Sequence, residues 1–182
     1  MNHIYHQEQF GEPWFNYQDL YKEVVEKFPT GSKFVEVGVW KGKSAAFMCV
    51  EIANSNKKID FFCVDTWKGS IEHQDNPDLH RLYEIFKDNM KPLDKYYEDL
   101  RIESLKAAKL FDDNSLDFVF IDASHEYEDV KADILAWWPK IKNGGILAGH
   151  DFHEGYHVYR AVVDVFGHTY KVNGQCFVIE KV

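Results

Sequence analysis

The sequence contains few cysteines, and they are not arranged for metal binding or redox chemistry. Cys49, Cys63 and Cys176 are scattered through apolar segments, and no C-x-x-C pair occurs. An odd number of dispersed thiols argues against a disulfide framework and against a zinc site, and is typical of core residues in a reducing compartment. We therefore expect a cytoplasmic protein.

Positive charge is also scarce. The 21 Lys and Arg residues against 30 Asp and Glu residues give a formal net charge of −9. Proteins that bind nucleic acids or anionic membrane surfaces usually present basic residues to the phosphates, so we expect neither as a partner. No apolar run is long enough to span a bilayer, and the first ten residues show no signal-peptide pattern.

The composition is that of a packed globular protein. Hydrophobic residues make up 45% and aromatic residues 16% of the 182 positions, and no repeat, linker or low-complexity segment is visible. We predict a single domain over residues 1–182. Within it, residues 1–32 form a helical extension or lid and residues 33–182 form the core.

Short apolar segments alternate along the chain with segments of helical periodicity. Predicted strands cover Lys33–Gly38, Ile59–Asp65, the region near Leu100–Glu103, Leu116–Asp122, Ile146–Asp151, and a final hairpin of Thr169–Val172 and Gln175–Glu180 around Asn173-Gly174. Predicted helices cover Tyr17–Phe28, a segment opened by Gly42-Lys43-Ser44, Asn76–Asn89, Glu126–Lys142 ended by Asn143-Gly144-Gly145, and Tyr156–Phe166. This alternation predicts an α/β fold: a mostly parallel sheet with helices on both faces and one antiparallel strand from the hairpin.

The turn after the first strand is a candidate ligand-binding element. Gly38 and Gly42 stand four apart between a strand and a helix, which allows a tight turn and a close backbone approach to a ligand. Trp40 occupies the middle glycine position of G-x-G-x-x-G, and this disfavours a nicotinamide oxidoreductase. Asp65 ends the second strand a little over twenty residues later, where an acid can bind ribose hydroxyls. A plain turn and a helix-capping acid remain the alternative interpretation.

From Lys33 onward the chain resembles class I methyltransferases. The E-x-G-x-x-x-G stretch from Glu36 to Gly42 is similar to their first motif, which wraps the methionine part of S-adenosylmethionine. The resemblance implies a Rossmann-like sheet of seven strands in the order 3-2-1-4-5-7-6 and S-adenosylmethionine as the cofactor. It assigns cofactor binding to the first-motif residues and to positions after the later strands: Glu36, Gly38, Gly42, Ser44, Asp65, Trp67, Ser104 and Asp122.

The stretch IDASHEYEDVKADILAWWPKIKNGGILAGHDF, Ile121–Phe152, resembles the branch with macrolide and aminocoumarin sugar O-methyltransferases. By this resemblance Asp122 has the place of a cation-binding aspartate and His125 that of the catalytic base. A histidine suits removal of a hydroxyl proton because it titrates near neutral pH. A loop histidine that caps the next helix is the alternative for His125.

The same branch usually carries two carboxylates where this chain has His150-Asp151. Magnesium prefers oxygen ligands, whereas imidazole suits manganese or iron better. We therefore expect Asp122, His150 and Asp151 either to hold a divalent cation (Mg, Mn or Fe) or to hold none. In the second case Asp151 orients the base or caps the last helix.

These observations predict a methyltransferase that acts on a hydroxyl of a small-molecule acceptor, with sugar-containing compounds among the candidates. The alternative is a non-catalytic module that binds S-adenosylmethionine or another nucleoside. The aromatic-rich N-terminus on a small core further suggests a homodimer.

Overall fold

The computed structural model describes residues 1–11, 13–70 and 73–182. The strands of these residues are β1 (Lys33–Val37), β2 (Asp60–Asp65), β3 (Glu98–Arg101), β4 (Leu116–Ile121), β5 (Ile141–Gly149), β6 (Lys171–Asn173) and β7 (Cys176–Glu180). The α-helices are α1 (Gln18–Lys27), α2 (Lys43–Ser55), α3 (Leu82–Met90), α4 (Ser104–Ala108), α5 (Tyr127–Trp137) and α6 (His157–Phe166). Each helix in this part of the chain is too short or too polar to cross a membrane.

The seven strands form one sheet in the order β3-β2-β1-β4-β5-β7-β6, as predicted. The strands from β3 to β5 pair in parallel, and β7 runs antiparallel to both β5 and β6. The strand order reverses between β1 and β4. Ligands of open α/β sheets bind outside the carboxyl ends of the strands at such a reversal, so this edge positions the site.

Helices cover both faces of the sheet, which confirms the predicted architecture. Successive side chains of a strand point to opposite faces. Phe34 and Phe118 therefore join the apolar cluster beneath α1, α2 and α3, whereas Val35 and Val119 join the cluster beneath α4, α5 and α6.

The helix predicted over Glu126–Lys142 is wrong at its C-terminal end. α5 stops at Trp137, a 3-10 turn follows over Trp138–Lys140, and β5 already begins at Ile141. Pro139 explains the early end, because proline lacks an amide hydrogen and restricts the residue before it. Asn143-Gly144-Gly145 consequently lies inside β5, where the pairing with β4 shifts between Leu116–Ile141 and Phe118–Ile146.

Three other boundaries differ from the prediction. The segment predicted as a helix from Asn76 forms a 3-10 turn over Leu79–Arg81 before α3 begins. The third strand lies two residues earlier than expected, and the short helix α4 follows it. In the hairpin Asn173 pairs with Cys176, so the two loop residues are Gly174 and Gln175. A glycine with a φ of 59° at the first loop position suits a tight hairpin turn.

Residues 13–17, called the strap below, precede α1 and approach the carboxyl ends of β4 and β5. Phe15 and Tyr17 of the strap are buried in the apolar cluster of α1–α3. The Tyr17 ring centroid lies 4.5 Å from that of Phe120 and 5.0 Å from that of His150. The strap thus brings N-terminal side chains to the edge of the sheet where the candidate site lies.

Candidate active site

A cavity of about 430 Å³ opens at the carboxyl ends of β1, β2 and β4. Its volume lies in the range of small-molecule sites, about 300–1,000 Å³. Turn residues after β1 and β2 and the loop after β4 supply the lining: Gly38, Trp40, Asp65, Thr66, Gly69, Ser70, His73, Gln74, Asp122, Ala123, Ser124, Glu126 and Asp129. Three predicted cofactor-binding residues, Gly38, Asp65 and Asp122, are among them.

The two glycines of the first motif are required by packing as well as by the turn. Gly38 has a φ of 86°, and a Cβ there would lie 2.0 Å from the carbonyl oxygen of Asp122. Gly42 has a φ of 88°, and a Cβ there would lie 2.9 Å from Cγ of Met90. The close backbone approach at Gly38 is therefore to the loop after β4, and not only to a ligand as the sequence suggested.

Asp65 fixes the conformation of the turn after β1. Its Oδ2 accepts hydrogen bonds from the backbone N–H groups of Val39 at 2.9 Å and Trp40 at 3.0 Å, and its Oδ1 accepts one from Trp67 at 2.7 Å. Burial raises the pKa of Asp65, and these hydrogen bonds oppose the rise. A carboxylate oxygen can accept about two hydrogen bonds, so Oδ1 keeps capacity for a ligand hydroxyl. A ribose contact at Asp65 stays a prediction.

Trp40 and His73 are cavity residues that the sequence analysis missed. Their ring centroids lie 4.3 Å apart with an interplanar angle of 33°. Trp67, the predicted aromatic contact, lies elsewhere: it is 2% exposed, packs against Tyr83 and donates its indole N–H to the carbonyl of Trp40 at 3.0 Å. The position of Trp40 inside the motif was a usable signal, whereas His73 lies in a loop without a recognisable pattern.

Glu36 is fully buried on β1, beneath the cavity. Ser44 at the start of α2 donates a hydrogen bond to its Oε1. Burial raises the pKa of Glu36 to about 8, although the Ser44 hydrogen bond acts in the opposite direction. Glu36 is therefore largely neutral at pH 7 and stabilises the start of α2. Ser44 itself lines, with Gly38, Asp122 and the strap, a recess of about 70 Å³.

Ser104, a predicted cofactor-binding residue, is held by hydrogen bonds to α5. Its hydroxyl donates to Oδ1 of Asp133 at 2.5 Å and accepts a hydrogen bond from the Trp137 indole N–H at 2.9 Å. Burial raises the pKa of Asp133 to about 6, and the Ser104 hydrogen bond opposes the rise. In the described part of the chain, Glu36, Gly42, Trp67 and Ser104 all lie outside the lining of the 430 Å³ cavity.

The loops after β4 and β5 bring the predicted catalytic residues together. Nε2 of His125 lies 2.9 Å from Oδ2 of Asp151, and Nδ1 of His150 lies 3.2 Å from the same oxygen. The hydrogen bonds from His125 and His150 hold the pKa of Asp151 far below its usual range. This pairing matches the alternative in which Asp151 orients the base.

Asp122 lies at the centre of this group. It accepts a hydrogen bond from the Tyr17 hydroxyl at 3.0 Å, and its Oδ1 is 3.8 Å from Nδ1 of His150. Burial raises the pKa of Asp122, while His150 acts in the opposite direction. Burial also disfavours a charged His150, but the Asp151 hydrogen bond and the Asp122 charge outweigh it and raise the pKa of His150.

A second cavity of about 370 Å³ lies on the other side of the loop after β4. It is lined by His125, Glu126, Asp151, His153, Gly155, Tyr156, His157 and Val158. Glu126 borders both cavities. The loop from Asp122 to Glu126 therefore separates two compartments, with the His125–Asp151 pair facing the second.

The predicted cation set of Asp122, His150 and Asp151 does not fit a metal centre. His150 directs Nδ1 towards carboxylates and Nε2 towards an amide oxygen at 3.0 Å, so both nitrogens are engaged within the protein. Possible ligand atoms of Asp122, His125 and Asp151 do lie within 4.8 Å of one another. Within that group His125 already bonds to Asp151 at 2.9 Å, and His150 does not belong to it.

A larger groove of about 890 Å³ runs between α1 and the β6–β7 hairpin. Its lining is mainly apolar and includes Leu20, Val24, Val178 and Trp138, but none of the predicted site residues. The chemistry therefore points to the two smaller cavities.

A family model described as a methyltransferase domain matches residues 35–152 of the chain. The chain belongs to the methyltransferase-domain family. The matched region runs from β1 through the loop after β5, and so contains both the glycine turn and the His125–Asp151 pair. The family and its fold support S-adenosylmethionine as the cofactor.

The chain is similar in sequence to one curated protein and similar in fold to solved methyltransferase structures. An uncharacterized protein, y4gI of Sinorhizobium fredii (strain NBRC 101917 / NGR234), is 29% identical over 119 residues, which span 65% of this chain but only 13% of the relative. The O-methyltransferase NovP superposes with a TM-score of 0.69 at 16% identity over 91% of this chain and 79% of its own. CalS11, a TDP-rhamnose 3′-O-methyltransferase of calicheamicin biosynthesis, gives a TM-score of 0.61 at 13% identity over 90% and 76%.

Proposed function

We propose that this chain transfers a methyl group from S-adenosylmethionine to a hydroxyl oxygen of a small acceptor. One observation carries the proposal: two cavities meet at the Asp122–Glu126 loop, where His125 is paired with Asp151. One cavity then takes the cofactor and the other the acceptor, with a base beside their boundary.

The first cavity suits S-adenosylmethionine by the chemistry of its side chains. Asp65 would accept hydrogen bonds from ribose hydroxyls, and Asp122 would face the positively charged part of the cofactor. The rings of Trp40 and His73 offer faces against which a purine can pack. When bound, the cofactor supplies an electrophilic methyl group.

His125 is the proposed general base. Its Nε2–H donates to Asp151, so in the neutral ring the basic lone pair is on Nδ1. His125 would accept the proton of the acceptor hydroxyl at Nδ1 while that oxygen takes up the methyl group that bound S-adenosylmethionine would supply, which leaves S-adenosylhomocysteine. The Asp151 carboxylate stabilises the imidazolium that forms, as in other histidine–carboxylate pairs.

The second cavity favours a polar, hydroxylated acceptor. It is lined by the imidazoles of His153 and His157, the Glu126 carboxylate and the Tyr156 ring. Such groups can hydrogen-bond to hydroxyls or pack on a sugar ring. The names of the similar structures, an O-methyltransferase and a TDP-rhamnose 3′-O-methyltransferase, support a sugar-containing compound. The net charge of −9 argues against a nucleic acid in this role.

The proposal is tested by incubating the protein with S-adenosylmethionine and a panel of hydroxylated acceptors, and measuring S-adenosylhomocysteine. With an acceptor that turns over, His125→Ala should lower kcat by about 10²–10⁴-fold, the usual contribution of a positioned base. Affinity for S-adenosylmethionine should stay near the wild-type value. His168→Ala, an exposed histidine outside both cavities, is the matched control and should keep full activity.

Two results would contradict the proposal. Tight S-adenosylmethionine binding without turnover on any acceptor would favour the non-catalytic module instead. Full turnover by His125→Ala would place the base elsewhere, with His150 and His153 as the next candidates.

A further inference from the structure

Asn16 of the strap connects the N-terminus to the active-site histidines. Its Oδ1 lies 3.0 Å from Nε2 of His150, a residue 134 positions away in the sequence. Its amide nitrogen donates to Oε1 of Gln175 at 2.9 Å, so Asn16 also contacts the loop between β6 and β7. Asn16 itself is exposed, so this contact is not a by-product of core packing.

His150 is held on both ring nitrogens. Nε2 meets the Asn16 amide oxygen, and Nδ1 meets Asp151 at 3.2 Å and Asp122 at 3.8 Å. An amide oxygen and a carboxylate both accept hydrogen bonds, so each nitrogen of the ring donates. The buried ring also packs against Tyr17. Its position is therefore set from three sides.

Asp151 connects the fixed His150 ring to His125. The residue has a φ of 55°, a left-handed conformation that asparagine and aspartate tolerate better than most residues. Its Oδ2 receives the hydrogen bonds of both His150 and His125, at 3.2 and 2.9 Å. Two donors on one oxygen restrict the rotation of the carboxylate, and with it the orientation of the His125 ring.

We infer that Asn16 and His150 are positioning residues, which hold Asp151 so that it orients His125 for methyl transfer. The hydrogen-bonded series Asn16–His150–Asp151–His125, called the relay below, rests on the proposed role of His125. His150 thereby acts as a fixed hydrogen-bond donor to Asp151. Since Asn16 belongs to the strap, the relay is complete only when the strap is packed against the carboxyl ends of β4 and β5.

The kinetic test compares three variants at the strap. Asn16→Ala removes the acceptor for His150 and should lower kcat about five- to tenfold, as expected for the loss of one ordinary hydrogen bond, with the KM for S-adenosylmethionine unchanged. Asn16→Asp keeps an oxygen towards His150 and should restore most of the rate. Gln175→Ala removes the other Asn16 contact but leaves the acceptor for His150 in place, so it should lower kcat by less than Asn16→Ala. Equal losses in all three variants would show a structural effect of the strap and overturn the inference.

A spectroscopic test needs no turnover. Nitrogen-15 NMR of the imidazole rings at neutral pH should show hydrogen on both His150 nitrogens in the wild type. Asn16→Ala should shift the Nε2 signal of His150 and, through Asp151, the signals of His125. Unchanged His125 signals in that variant would overturn the relay. This measurement holds even if no acceptor is found, so failure of the relay is distinguishable from failure of the proposed function.

A chelator completes the test. Since both nitrogens of His150 are engaged within the protein, turnover should persist in excess EDTA. Loss of turnover that manganese or magnesium restores would make the group a metal centre and overturn the relay.

Discussion

The turn after β1 is held by backbone N–H groups that donate to a single carboxylate, whereas the group around His150 is held by several pairs of side chains from distant parts of the chain. Asp65 accepts the N–H groups of Val39 and Trp40, which are 26 and 25 residues away in the sequence. Around His150 the contacts join residues far apart: Asn16 to His150 over 134 positions and Tyr17 to Asp122 over 105.

This difference bears on how each part responds to substitution. The turn depends on one side chain, Asp65, and tolerates changes in side chains that do not touch it. The group around His150 depends on several side-chain pairs and changes when any one partner changes. We therefore expect the cofactor half of the site to be robust and the acceptor half to determine specificity.

The largest effect is expected at Gly38, where the turn after β1 contacts the loop after β4. Gly38→Ala would place a Cβ 2.0 Å from the Asp122 carbonyl oxygen at a φ of 86°, so the loop that carries His125 must move. We expect the free energy of unfolding to fall by more than about 4 kcal/mol, or the protein not to fold, because backbone atoms cannot give way as a side chain can. Urea titration followed by circular dichroism measures this.

Gly144→Ala is the matched control for that variant. Gly144 has a similar φ of 81°, but open space surrounds the position of its Cβ. The left-handed conformation alone should lower the free energy of unfolding by about 1–2 kcal/mol. Equal losses in the two variants would show that the contact between the β1 turn and the β4 loop contributes nothing beyond backbone strain.

The same contrast explains which parts could be predicted from the sequence. The strands, the glycine turn and Asp65 follow from local spacing, and the strand order, which the resemblance to class I methyltransferases implied, is confirmed. The Asn16–His150 contact could not be predicted, because no local pattern relates residues 134 positions apart. Trp40 and Trp67 show a second limit: one lies inside the motif and the other follows β2, and only packing decides which ring faces the cavity. Helix α5 was predicted too long because Pro139 was outweighed by the apolar periodicity around it.

An intermediate effect is expected at Asp133, another side-chain contact between distant segments. Its pKa is about 6 in the fold against about 3.9 in the unfolded chain, so the fold favours the protonated form. The stability that this provides is fully present below about pH 4 and is lost as the pH rises through about 6. A difference of about two pH units corresponds to about 3 kcal/mol. Asp133→Asn should therefore gain up to that amount relative to wild type between pH 4 and 7.

Urea titrations of wild type and Asp133→Asn at several pH values measure this difference in the free energy of unfolding directly. All other titratable groups are present in both proteins, so their contributions cancel. Glu128→Gln, an exposed position on the same helix, is the control and should show no pH-dependent gain. A stability difference between Asp133→Asn and wild type that is constant from pH 4 to 7 would mean that Asp133 is ionised equally easily in the folded and unfolded protein.

The smallest effect is expected at Asp65, where it decides whether the cofactor half relies on side-chain recognition at all. Asp65→Asn replaces one of the two oxygens that hold the turn and should weaken binding of S-adenosylhomocysteine by about 1–3 kcal/mol, measured by calorimetry. Asp60→Asn, exposed at the other end of β2, should bind as wild type.

The loss at Asp65 has two possible sources, and a modified ligand separates them. The carboxylate can act on the ligand directly, through the remaining acceptor capacity of Oδ1, or only through the turn that it holds by Val39, Trp40 and Trp67. An analogue of S-adenosylhomocysteine without ribose hydroxyls cannot make the direct contact. If Asp65 binds the ribose, the Asn variant and wild type should differ much less with the analogue than with S-adenosylhomocysteine, because the two changes remove the same hydrogen bond. Equal losses with both ligands would show that the Asp65 carboxylate does not contact the ligand and affects binding only through the backbone turn that it holds.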